Sequence, residues 1–173
     1  MRILEILNKR MKKIHINNDD DYATPPHFYK ELDSRFDFDF DPCPYLSHID
    51  GLDIEWGERN FINPPYSQKL KEAFVKKAIE ESRKGKLCVL LLPVSTSTRL
   101  FQDHIQPNAK KIEFVRNRIK FGKLKRGKFY LPLNKNGKTQ SGTKDSMVVI
   151  FDNRIKRFWR SIQLFFYRLW LLR

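Results

Sequence analysis

The stretch Asn63-Pro64-Pro65-Tyr66 gathers several chemically useful groups in four residues. The Asn63 side-chain oxygen and the Pro64 carbonyl can each accept one N–H of an amino group conjugated to a ring. Drawing both hydrogens out of the ring plane localises the nitrogen lone pair, which readies it for attack without a strong base. Tyr66 can stack on the ring face, as aromatic side chains do with unpaired bases. Pro64 and Pro65 stiffen the backbone, so the geometry is set before a ligand arrives. The same four residues could also form a plain proline turn, with Asn63 bonded to its own backbone and Tyr66 on the surface.

The elements around this loop follow from spacing. Pro64 biases Asn63 towards an extended conformation and neither proline can donate to a sheet, so a short strand, "RNFI", must stop at Ile62. "SQKLKEAFVKKAIEESRKG" then reads as a helix with Leu70, Phe74, Ala78 and Val75 inward and Gly85 as its C-terminal stop. Upstream, "TPPHFYKELDSRF" reads as a helix capped by Thr24 and ending near Ser34, with Phe28, Leu32 and Tyr29 inward. "FDFDFD", residues 36 to 41, alternates as a strand with one apolar and one carboxylate face, the pattern of a sheet edge rather than of a strand buried on both sides. "KLCVLLLP" and "SMVVIF" are buried strands; "STSTRLFQDHI" is a loop and helix; "KKIEFV" and "RIKF" are strands. Strands alternate with helices and then cluster late, which predicts an α/β domain with a mixed sheet and an antiparallel C-terminal part.

At 173 residues the chain has the length of one domain. The expected divisions are a basic N-terminal appendage over 1–20, one domain over 21–153, and an amphipathic C-terminal helix over 154–173. With 34 Lys+Arg against 20 Asp+Glu, the net charge of +14 favours a polyanionic partner, nucleic acid or an anionic surface. Acids crowd residues 19 to 60 and bases 110 to 144. Arg118, Lys120, Lys123, Lys125, Arg126 and Lys128 are interleaved with Phe121, Phe129 and Tyr130, which suits a DNA-facing hairpin and loop; a solvated basic loop is the alternative. Cys43 and Cys88 make no disulfide scaffold, and the four histidines are scattered without ligand spacing, so no metal is expected. No secretory signal is visible, and a cytoplasmic setting, that of a host cell if the protein is viral, is expected. The arginines of "RIKRFWRSIQLFFYRLWLLR" leave no ~20-residue apolar span for a membrane crossing. That helix has an apolar face formed by Ile155, Phe158, Trp159, Ile162, Phe166, Leu169 and Trp170, suited to covering the core, to joining a second copy in a homo-oligomer, or to lying on a membrane surface.

Asn63-Pro64-Pro65-Tyr66 resembles the motif of S-adenosylmethionine-dependent amino methyltransferases. The wider order resembles the phage-type DNA N6-adenine methyltransferase family: "YATPPHFYKEL", "FDFDPCP", "GLDIEWGERNFINPPYS", "GKLCVLLLPVSTSTRLF", "NRIKFG" and "SMVVIF" recur over about residues 21 to 151. The resemblance implies a Rossmann-like methyltransferase α/β/α sandwich, S-adenosylmethionine as methyl donor and adenine N6 in DNA as acceptor. It implies that Asn63, Pro64, Pro65 and Tyr66 are catalytic and hold the target base. Thr24 and Pro25 would meet the methionine end of the cofactor and Asp41 its amino group, with Tyr22 and Pro42 also among the cofactor-binding residues.

The chain departs from the general methyltransferase pattern in lacking a Gly-x-Gly after the first strand; its first glycine there is Gly51. Asp41 to Asn63 leaves room for one short crossover but not for three βα units of ~30 residues each. A reduced sheet missing the second and third strands fits that spacing and would make 36–41 an edge. Asp50, Asp53 or Glu55 would then replace the acid that normally holds the cofactor ribose, Asp53 being the chosen candidate; an ordinary solvated charge is the alternative for each. Two other functions fit the motif. A protein glutamine methyltransferase would use the same tetrad on a side-chain amide, though it has no use for a polyanion groove. An inactive DNA-binding or virion-associated protein would keep the fold and lose the cofactor.

Overall fold

The computed structural model describes residues 22–45, 50–133 and 144–154, together with Gly137, Thr139 and Ile162. The expected N-terminal appendage and nearly all of the expected C-terminal helix lie outside these residues. Helix α1 is Pro26–Phe36, strand β1 Arg59–Ile62, helix α2 Gln68–Arg83 and strand β2 Leu87–Pro93. A π-type helix, Leu100–Ile105, runs into the single α-turn Gln106–Asn108. Strands β3 (Lys111–Phe114), β4 (Lys123–Lys125), β5 (Lys128–Tyr130) and β6 (Ser146–Asp152) follow.

The main sheet has the order β1-β2-β6-β3. Strand β1 runs parallel to β2, whereas β6 is antiparallel to both β2 and β3. The domain is therefore mixed α/β with an antiparallel C-terminal part, as the late clustering of strands predicts. The two unbroken apolar runs, β2 and β6, lie side by side at the centre, where both faces are covered. One face packs against α2 and the π-helix, with Trp56, Ile62, Phe74, Val75, Leu90 and Phe151 in its core. The other packs against α1 and segment 115–121, through Leu32, Phe61, Val89, Ile119, Phe121 and Ile150. Cys88 is buried between, and burial pushes its thiol up to about 12, so it behaves as an inert apolar group. Among the described residues no helix is long and apolar enough to cross a membrane, and no group of side chains could hold a metal.

Helix α2 keeps the expected inward positions Phe74, Val75 and Ala78, and Gly85 closes it at φ 98°, with its N–H on the Ser82 carbonyl. Helix α1 runs two residues past Ser34. Asp37 caps it in the left-handed conformation, at φ 52°, and donates its N–H to the Asp33 carbonyl.

That cap corrects the reading of 36–41 as a strand. Phe36 is the last residue of α1, Asp37 turns the chain, and a single parallel bridge, Phe40 to Asn60, joins the remainder to β1. The three phenylalanines do not share a face: Phe36 and Phe38 pack on the α1 side, with Phe38 5.5 Å from the Phe61 ring, and Phe40 packs on the α2 side. Proximity to β1 holds, however, and among the described residues this segment bridges β1 alone. Arg59 satisfies its acid face, pairing with the Asp37 carboxylate at 3.0 Å and lying 4.0 Å from that of Asp39.

The crossover from Asp41 to β1 is tied down by α2. Lys77 Nζ donates to the carbonyls of Leu52 and Ile54, at 2.7 and 2.6 Å, and lies 5.4 Å from the centre of the Trp56 ring. Trp56 Nε1 donates to the Gly51 carbonyl at 2.7 Å. Gly51 is required: a Cβ there would sit 1.9 Å from the Pro42 oxygen.

At the far end of β6, Asp152 receives Lys110 and Arg154, both at 2.9 Å. Burial opposes its charge, but the hydrogen bonds from Arg154 and Lys110 outweigh this and hold the carboxyl well below the usual range. A depressed pKa contributes stability above the unfolded value and loses it as pH falls through the folded one. Asp152→Asn should therefore cost roughly 1.5–3 kcal/mol at neutral pH, the range for hydrogen bonds to charged groups. The deficit should vanish in strong acid. Urea midpoints at several pH values check this, and a deficit that persists in acid would disprove it.

Candidate active site

The Asn63 loop begins where β1 ends, at the carboxyl end of the only parallel pair among the described strands of the main sheet. Pro64 and Pro65 are buried and Tyr66 partly so. Asn63 does not fold back on its own backbone, as a plain proline turn would require. Its Nδ2 donates to the Tyr22 carbonyl at 3.0 Å and to the Thr24 hydroxyl at 3.1 Å. Its Oδ1 is buried and accepts no hydrogen bond from the described residues. A buried acceptor without a donor is costly and calls for an explanation, a ligand at a functional site being one; Asn60 Oδ1 within β1 is another such atom.

Thr24 is thus occupied otherwise than expected. It does not cap α1; that position is held by Pro25, at φ −56° and ψ 133°, without a side-chain cap. The Pro25 carbonyl accepts the Phe28 and Tyr29 N–H groups and starts the helix, leaving the Thr24 hydroxyl to face Asn63.

Tyr66 stacks with Tyr22 at 5.8 Å between ring centres and meets the Phe121 ring edge-on at 5.9 Å. Burial, and then the neighbouring Tyr22, push its phenol well above the ordinary tyrosine value, so it stays neutral. Tyr22 and Phe121 as walls of this aromatic corner escaped sequence reasoning, since they lie 44 and 55 positions from Tyr66 and no periodicity links them.

The segment Tyr22-Ala23-Thr24 also reaches the basic region. Ala23 and Gly122 exchange both backbone hydrogen bonds, Ala23 N–H to Gly122 O at 2.9 Å and Gly122 N–H to Ala23 O at 3.1 Å. Residues 118–121 are not the expected strand. They alternate, with Ile119 and Phe121 buried and Arg118 and Lys120 exposed, but lie across the α1 face of the sheet without a strand partner. The hairpin comes next, β4 against β5, closed by Arg126 at φ 50° and Gly127 at φ 74°. Positive φ at both central residues is the turn that matches the twist of paired strands.

The register places Lys123 opposite Tyr130 and Lys125 opposite Lys128, with the Leu124–Phe129 pair on the other face. Lys125, Arg126 and Lys128 are exposed, and no carboxylate pairs with these three or with Lys120 and Lys123 among the described residues. Arg118 differs: it is paired with Asp145 at 3.0 Å.

The chain matches the family model described as DNA N-6-adenine-methyltransferase (Dam) over residues 12–164. It belongs to the Dam family. No curated protein and no solved structure matches it. The Dam-family match takes in every element described above, from α1 to β6, and with it both the Asn63 loop and the basic hairpin.

The remaining candidates, Asp41, Pro42 and Asp53, lie on the segment that leads into β1. Asp41 follows the Phe40 bridge beside β1, and its Oδ1 accepts the Cys43 N–H at 2.8 Å. It is close enough to Tyr29 to raise that phenol, behind the larger effects of burial and Asp33. Pro42 is buried against Gly51. Asp53 is exposed on the crossover, near Lys77 of α2. Downstream of β2, Thr98 acts as a local cap: its hydroxyl donates to the Ser95 carbonyl at 2.8 Å and accepts the Phe101 N–H at 3.3 Å.

Proposed function

We propose that the protein transfers a methyl group from S-adenosylmethionine to N6 of adenine in DNA, on a reduced Rossmann-like α/β/α sandwich. One observation carries the reading: the Asn63 oxygen is a buried acceptor with no partner among the described residues, while its amide nitrogen is held from behind. An adenine amino group supplies the missing donor.

Asn63 Oδ1 and the Pro64 carbonyl then take one N–H each and fix the amine's orientation. Tyr66 offers its ring to the base, and Phe121 and Tyr22 hold that ring. The target must leave the duplex to reach them. Lys120, Lys123, Lys125, Arg126 and Lys128 bind phosphates, while Arg118, held by the Asp145 carboxylate, would have to leave it to bind one.

The segment bridged to β1, the crossover after it and the residues that hold Asn63 offer groups suited to S-adenosylmethionine. Asp41 offers a carboxylate for its amino group, Pro42 and Gly51 leave close-packed backbone beside it, and Tyr22, Thr24 and Pro25 lie next to the catalytic loop. Asp53, exposed on the crossover, is the ribose candidate. When bound, the cofactor would supply a methyl group activated by a sulfonium.

Incubation of the purified protein with methyl-labelled S-adenosylmethionine and DNA should yield N6-methyladenine. Label on protein glutamine instead would favour the side-chain amide reading, and DNA binding without cofactor binding would favour an inactive DNA-binding protein. The hairpin cations, which have no carboxylate partner among the described residues, favour DNA over a protein amide.

Tyr66 gives a sharper test. Tyr66→Ala should weaken binding of DNA carrying an unpaired target adenine by ~1–3 kcal/mol, the stacking range, with Tyr66→Phe far milder. Equal losses in the two variants would assign the effect to the hydroxyl rather than the ring. The neutral phenol adds a second expectation: Tyr66 should contribute no ionisation to the pH–rate profile between about pH 6 and 10.

A further inference from the structure

We infer that Thr24 is a positioning residue, whose hydroxyl holds the Asn63 amide in the orientation that the Tyr22 carbonyl selects. The inference rests on the methyltransferase reading and assigns Thr24 a part other than contact with the cofactor. An asparagine amide is nearly symmetric in shape, and only its hydrogen bonds decide whether oxygen or nitrogen points into a site. At Asn63 the distinction is decisive. With the oxygen forward, the site accepts an amine; with the nitrogen forward, it presents a donor to another donor and repels it.

The Tyr22 carbonyl is an acceptor only and takes one Nδ2 hydrogen. The Thr24 hydroxyl takes the other at 3.1 Å, so both amide hydrogens are used behind the site and the oxygen has no partner among the described residues. The Tyr22 carbonyl cannot donate and so repels the amide oxygen, which disfavours the reversed orientation, while the Thr24 hydroxyl accepts the second hydrogen and locks the amide in place. Ala23, between these two acceptors, is pinned to Gly122 through both its backbone groups, and Ala23 itself is buried. The clamp is therefore part of a bonded framework that keeps its two acceptors at fixed spacing.

Thr24→Val removes the acceptor and keeps the shape, whereas Thr24→Ser keeps the acceptor. The expected result is a roughly tenfold fall in kcat for Thr24→Val, equivalent to about 1.4 kcal/mol, with near wild-type kcat for Thr24→Ser and an unchanged dissociation constant for S-adenosylmethionine in both. A second readout is independent of turnover. In the isolated protein, the side-chain NH2 protons of Asn63, assigned by their loss in Asn63→Asp, should exchange with solvent about tenfold faster in Thr24→Val than in wild type or Thr24→Ser. Unchanged exchange in Thr24→Val would overturn the inference. So would weaker cofactor binding with kcat retained, which would return Thr24 to the methionine end of the cofactor. Should wild type methylate nothing, the proposed function fails and amide exchange alone decides the clamp.

Discussion

Asn63→Ala should lower kcat for adenine methylation by about a hundredfold to a thousandfold, the loss seen when one preorganised polar partner of a reacting group is removed. The affinity for S-adenosylmethionine should stay at the wild-type value, because the Asn63 amide points its hydrogens at Tyr22 and Thr24 and, on the proposed reading, keeps its oxygen for the target amine. Folding should survive as well, since the truncation removes a buried orphan acceptor and strands only a backbone carbonyl and a hydroxyl that water can reach more readily. Parallel measurement of single-turnover rate, cofactor affinity and circular dichroism checks all three. Wild-type turnover in Asn63→Ala would end the mechanism, and a variant that fails to bind cofactor would move Asn63 out of the amine site.

Reversing Lys123, Lys125 and Arg126 together to glutamate should reduce DNA affinity at least about a hundredfold at low salt, and lower the slope of log affinity against log salt by about 2 to 3, near 0.9 for each phosphate that is no longer neutralised. The hairpin owes its rigidity to the Arg126–Gly127 turn and to the Leu124–Phe129 pair, neither of which needs the three charges. Phe129 sits over Gly122, where an added Cβ would come within 2.5 Å of its ring, so the hairpin base should stay in place in the variant. An unchanged slope would put the DNA on another surface.

Strong, uninterrupted signals carried most of what the sequence foretold. The apolar runs of β2 and β6 could satisfy their side chains only at the centre of a sheet, and the 3.6-residue spacing of Phe74, Val75 and Ala78 left α2 one face to bury. Residues 36–41 misled because alternation reports only which side chains are apolar. Asp37 in the left-handed conformation inserts a turn between Phe36 and Phe38 that periodicity does not register. The basic segment suggested a hairpin, and one forms there, but its turn was not located, because Arg-Gly is a weak signal for a turn in which asparagine or aspartate usually precedes the glycine. In the site, Asn63 and Tyr66 were legible from chemical type alone, but their supports were not. Thr24 before two prolines reads as a helix cap, and only the tertiary fold turns its hydroxyl to an amide 39 residues away.

Among the described residues, the single bridge at Phe40 leaves the sheet an unfinished edge, and an unfinished edge is a template on which a second chain can grow into an aggregate. Here that growth is obstructed at several points within a few residues. The left-handed Asp37 bends the backbone out of the extended form that a ladder requires, and its carboxylate stands almost wholly in solvent, with 88% of the side chain exposed. Asp39 turns its carboxylate back onto the Arg59 N–H at 3.0 Å, occupying a donor that would otherwise be open to a neighbour. An incoming strand would have to desolvate charge and straighten a kink before its first hydrogen bond formed. A sheet that ends on so short a bridge can in this way remain dispersed at a margin where a longer one would need a covering strand.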